Sequence, residues 1–131
     1  MHFNAAIVLL ALATQQAMAT PVACPPALPA AGTGFEQVGP TPPAAAALDT
    51  MRLFDGRPGE EQLASPAELA PDSAIEKGNS LTSTWIFAGN EKLLLVRAYR
   101  GTKAYYRMQV PWLPKTCTMH RDAHRTTGGC A

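Results

Sequence analysis

Charge is what this sequence has least of: Lys, Arg, Asp and Glu make up 16% of 131 residues and leave a formal net charge of +1. A charge set so sparse excludes a disordered polyelectrolyte, and it excludes nucleic-acid binding through a basic surplus. Long apolar runs are missing too. The longest, Ala5 to Ala13, covers nine residues, whereas a helix needs about 20 to cross a bilayer. Histidine occurs only at His2, His120 and His124, so the body of the chain has no imidazole to activate a nucleophile. There is no Gly-x-Ser-x-Gly elbow and no glycine-rich phosphate loop. The acids Asp49, Asp55, Glu60, Glu61, Glu68 and Asp72 stand in or beside polar loops, where carboxylates are usually just solvated. The chain is also too short for a TIM barrel, and these absences point away from an enzyme and from any cofactor.

What is present begins with a leader. The apolar run is followed by Thr14-Gln15-Gln16 and then Ala17-Met18-Ala19, small residues of the kind a signal peptidase accepts. Cleavage after Ala19 leaves 112 residues, exported to the periplasm or secreted, with no transmembrane segment remaining. Val22-Ala23-Cys24 partly matches a lipoprotein site, which would put lipid on Cys24. Pro21 and the distance from the apolar run disfavour that reading. In an oxidising compartment Cys24, Cys117 and Cys130 allow three alternative bridges. The expected bridge is Cys24 to Cys117, whose loop of more than 90 residues would constrain the unfolded chain by about 4 kcal/mol. A Cys117 to Cys130 bridge would only staple a tail.

Residues 20–47 hold seven of the twelve prolines and read as an extended arm. Within it Gly34 to Val38 is a possible short strand. The β-rich domain is expected over 48–117 and a flexible tail over 118–131. Leu48 to Phe54 predicts a strand ended by Asp55-Gly56. Ser65-Pro66-Ala67-Glu68 has capping-box spacing and predicts at most one short helix, stopped by Pro71. Leu81 to Phe87, Lys92 to Tyr99 and Lys103 to Val110 predict an antiparallel meander, with Leu93 to Val96 apolar on both faces and therefore central. Pro111-Trp112-Leu113-Pro114 should end the sheet. The fold class is mainly β: a single small domain with a meander sheet of about four or five strands.

Cys24-Pro25, Leu53-Phe54-Asp55-Gly56, Leu69-Ala70-Pro71-Asp72, Trp85-Ile86-Phe87, Tyr99-Arg100-Gly101-Thr102 and Leu113-Pro114 followed by Cys117 occur in an order and spacing that resembles a family of small exported bacterial proteins of uncharacterised function. The resemblance covers about residues 24–117 and implies a compact exported β-rich domain without catalytic residues. Relatives often carry a cysteine two positions before the tyrosine matched by Tyr99, where this chain has Arg97. Cys130 lies outside the resemblance.

Two constellations remain. Cys117, His120, His124 and Cys130 would form a tetrahedral zinc or copper shell if 120 and 124 shared a helix face. The second is a charge asymmetry. Residues 20–76 carry eight acids and two bases, a net of −6, whereas residues 77–131 carry nine bases and two acids, a net of +7. Either the acidic loops fold back over a basic sheet, or Arg97, Lys103, Tyr105 and Arg107 share one face as a patch for an anionic envelope component or an acidic protein. The reading that follows is an exported non-catalytic binding or interaction module of the cell envelope. The alternative is an exported metal-binding protein using the Cys/His tail.

Overall fold

The computed structural model describes residues 22–24 and 34–131. The leader expected over residues 1–19 and residues 20–21 and 25–33 of the Pro/Ala-rich arm lie outside the described residues, as does any lipid on the Cys24 side chain. Among the described residues nine strands form two antiparallel sheets. In chain order they are β1 (Val22–Cys24), β2 (Glu36–Val38), β3 (Leu48–Asp55), β4 (Ser73–Lys77), β5 (Ser80–Ile86), β6 (Leu93–Tyr99), β7 (Tyr105–Gln109), β8 (Thr116–Arg121) and β9 (Thr126–Cys130). One sheet has the order β1-β9-β8-β5-β4 and the other β2-β7-β6-β3. The mainly β expectation holds, and the only helical turn among the described residues is a 3₁₀ turn at Glu60–Gln62.

The sheets share one core. Leu48, Met51, Leu53, Leu93, Leu95 and Tyr99 from the four-stranded sheet pack with Trp85, Cys117, Met119 and Cys130 from the five-stranded one. Alternation sets this up, because opposite residues of an antiparallel pair share a face. Met51 lies opposite Arg97 and Leu53 opposite Leu95, so β3 and β6 turn the same set inward. β6 is buried on both faces, as its Leu93 to Val96 run predicts: Leu94 and Val96 form a second cluster with Phe54 on the outer side. The sheets meet closely where β3 crosses the β8–β9 hairpin. The Met51 amide donates to Met119 Sδ at 3.3 Å, and a Cβ on Gly128 would stand 3.2 Å from Met51 Sδ. The Asp49 carbonyl accepts from Arg121 Nη2 at 2.6 Å and from the Thr126 hydroxyl at 3.3 Å.

Several expectations change. The meander is reduced to the β6–β7 hairpin, because β5 belongs to the other sheet. The link from Ile86 to Leu93 is too long for a tight turn, and it is fixed as a corner by the Glu91 carboxylate, which accepts from the amides of Ala88, Gly89 and Asn90. Ser65 to Glu68 is not helical, since the backbone of Ala67 to Leu69 is used to pair β3: Asp55 N donates to Ala67 O and Leu69 N to Leu53 O, at 2.9 and 2.8 Å. β4, SAIEK, is exposed along its whole length. Without alternation it gives no strand signal. The chain beyond Pro114 is not a free tail but the β8–β9 hairpin, so the sheets extend past 48–117 in both directions.

The disulfide is also corrected. Cys117 and Cys130 are direct partners in the β8–β9 register and are bonded, with Cα atoms 4.0 Å apart. Cys117 therefore does not bridge Cys24, whose backbone registers with Gly128. The bridge staples a core hairpin, both of its cysteines being buried. Peptide mapping without reductant should recover Cys117 linked to Cys130, and a linked peptide containing Cys24 would overturn the assignment. With a sequence separation of 13, replacing both cysteines by alanine should cost about 3 kcal/mol in urea unfolding.

Candidate functional site

The alternation of β7 decides what becomes of the basic patch. Tyr106 lies opposite Arg97, whereas Arg107 lies opposite Val96 and Tyr105 opposite Ala98. Arg97 is therefore on the inner face and the other two are on the outer face. Arg97 is 1% exposed, with its guanidinium 3.7 Å from the centroid of the Phe35 ring and 5.0 Å from that of Tyr106. Such a sandwich uses the planar, weakly hydrated cation that Lys cannot supply. Lys103 is exposed in the β6–β7 turn. The four residues do not form one patch, and the position where relatives often have cysteine holds a structural arginine.

On the outer face the acidic segment after β3 closes over the basic strand. Arg107 Nη1 donates to Glu61 at 2.7 Å, while its Nε and Nη2 reach Glu36 at 3.2 Å each. The Tyr105 hydroxyl donates to Glu61 and accepts from Gln62 Nε2. Arg52, stacked over Phe54, pairs with Glu68. Side-chain exposure is 15% for Arg107 and 4% for Glu61, so this pair is shielded from the screening that weakens surface ion pairs. Burial opposes ionisation of Glu61. Donation from Tyr105, Arg107 and the Gly59 amide outweighs it and holds the carboxyl below its usual range. Burial, reinforced by the bond to Glu61, pushes the Tyr105 phenol up.

The metal set is not assembled. Its two thiols are joined to each other. His120 stands exposed on β8 with Nδ1 2.9 Å from the Thr82 hydroxyl, and His124 is in the hairpin turn. They are not stacked on a helix. Among the described residues no group of three or more His, Cys, Asp or Glu could hold a metal ion.

The links at one end of the sandwich frame a groove of about 560 Å³ lined by Arg57, Pro58, Glu91 to Leu93 and Gln109 to Leu113. A second depression of about 300 Å³, between Leu69, Asp72 and Trp85 to Ala88, shares Glu91 with it. Beside the second depression Ile86 is 63% exposed, and Ile75 on β4 is 60% exposed. Periodicity does not reach these groove residues because most lie in links. The available signal was a tryptophan held between Pro111 and Pro114.

Because the folded-state pKa of Glu61 is depressed, its contribution to stability is complete above the unfolded value near 4.5 and is lost as pH falls through the folded value. Glu61→Gln should cost about 1–2 kcal/mol at neutral pH and flatten the fall in stability below about pH 4.5, as read by urea titrations across pH. Arg97→Glu should act on folding, not on surface charge, lowering stability by about 3–5 kcal/mol; a urea midpoint equal to the wild type would contradict its buried placement.

A family model described as the type VI secretion system Tli immunity protein matches residues 42–130. No curated protein and no solved structure matches the chain.

Proposed function

The chain belongs to the type VI secretion system Tli immunity protein family, and we propose that it protects the cell that makes it by binding a type VI effector and blocking it, without chemistry of its own. The family match over residues 42–130 carries the reading. The site geometry supports it. The carboxylates of the outer face are committed to ion pairs and hydrogen bonds, which suits a rigid binding body better than a general acid or base needing access to substrate. The two sheets, stapled at Cys117 and Cys130, present preformed surfaces, and a preorganised binder loses little entropy on association. The leader read in residues 1–19 would deliver the chain to an oxidising compartment, where such a bridge persists.

The test is co-expression of the full chain with the type VI effector of the same strain in a host that has neither. Growth should be restored, and the purified proteins should co-elute as one complex. Undiminished toxicity with no complex would overturn the reading. Removing residues 2–19 should abolish protection against an effector sent to the periplasm, while the purified shortened chain still binds it; protection without the leader would sink the export part of the proposal.

A further inference from the structure

We propose that β4 is a docking edge for a second copy of this chain: two molecules pair β4 with β4, antiparallel about a two-fold axis at Ile75, and so join their five-stranded sheets. This goes beyond the immunity reading and does not depend on it.

A strand at the end of a sheet turns every second N–H and C=O away from its neighbour, and another extended strand is the natural complement of that row. The four-stranded sheet hides part of such an edge, because the backbone of Ala67 to Leu69 pairs with β3. β4 ends the five-stranded sheet, with β5 on one side and no strand on the other among the described residues. It contains no proline, and its charges are confined to Glu76 and Lys77. All of its residues are exposed, Ile75 by 60%. Cross-strand neighbours are what stabilises a strand, and β4 has them on one side only.

The turn decides which groups point outward. β4 and β5 are joined by Gly78-Asn79 and close at Lys77 opposite Ser80. In a two-residue hairpin the closing pair exchanges its bonds inward, so Lys77, Ile75 and Ser73 bond to β5. Ala74 and Glu76 therefore present their amide and carbonyl groups at the free edge. Asp72 N turns inward to Thr84 O at 2.8 Å, which ends that edge at Ser73.

These positions fit a second β4. With the axis at Ile75, Ala74 of each copy lies opposite Glu76 of the other, so outward groups meet outward groups and form about four main-chain hydrogen bonds. The two Ile75 side chains become direct neighbours and cover each other, and Ser73 faces Lys77. An axis at residue 76 would oppose Glu76 to Glu76. An axis at residue 74 would oppose Glu76 to Asp72. Like charges directly opposite are destabilising, so the charges of β4 select the register centred on Ile75. So short a pairing falls at the low end of interface size, and the dimer it makes is transient.

The experiment is sedimentation velocity of the exported chain at concentrations up to about 1 mM. The wild type should dimerise reversibly. Ile75→Lys, which sets two ammonium groups together at the axis, should weaken dimerisation about tenfold. Ile86→Lys, at a residue 63% exposed on β5, should dimerise as the wild type does. Register is read by oxidation and peptide mapping: Ile75→Cys should bridge to the same position of a second copy, and Lys77→Cys, too far from its counterpart, should not. A wild type that stays monomeric, equal weakening by both lysine variants, or equal bridging from both positions would each overturn the proposal. Effector binding lost by Ile75→Lys in a chain that is monomeric throughout would assign the edge to the effector and overturn the second copy as its occupant. None of these outcomes touches the immunity reading, which stands or falls on neutralisation of the effector.

Discussion

The rest of the structure depends on the contact between β3 and the β8–β9 hairpin. Met51 reaches across to Met119 and sits over Gly128, and the Asp49 carbonyl takes donors from Arg121 and Thr126. Each sheet alone would expose one apolar face, and stacked they bury one core. The approach leaves little room at position 128, where even a methyl group would press on Met51. The buried Cys117–Cys130 bridge lies in the same hairpin, so the covalent staple holds the strands on which the contact depends.

Electrostatics follows from that stacking. The net of −6 over residues 20–76 and of +7 over residues 77–131 meet where the segment after β3 folds across β7, and Glu36 and Glu61 close on Arg107. Other acids serve as turn caps: Asp55, Glu60 and Glu91 accept from backbone amides and keep their charge there.

Strands with a clear period or a doubly apolar run were legible in the sequence. β3, β6 and β7 lie where alternation and the Leu93 to Val96 run place them. Sheet membership was not legible, since it turns on a corner fixed by one glutamate. β4 was missed because all five of its residues face water, and the last hairpin because its alternation is limited to Cys117 and Met119 and its return strand is mostly threonine and glycine. Arg97 was misplaced for a related reason. Its strand has no polar face, so alternation alone did not say which way a cation would point, and aromatic rings on both sides took the place of water. Loop residues of the groove carry no period at all, which is why tertiary placement was needed to bring Arg57, Lys92 and Trp112 together.

The pairing of β1 with β9 has a consequence for the order in which the chain is made. Val22 registers with Cys130, so β1 finds its partner only once residues 126–130 have been made. Closing so distant a pair is intrinsically slow, so β1 joins the five-stranded sheet late in folding. Until it closes, β9 and the bridged hairpin to which it belongs keep one open edge.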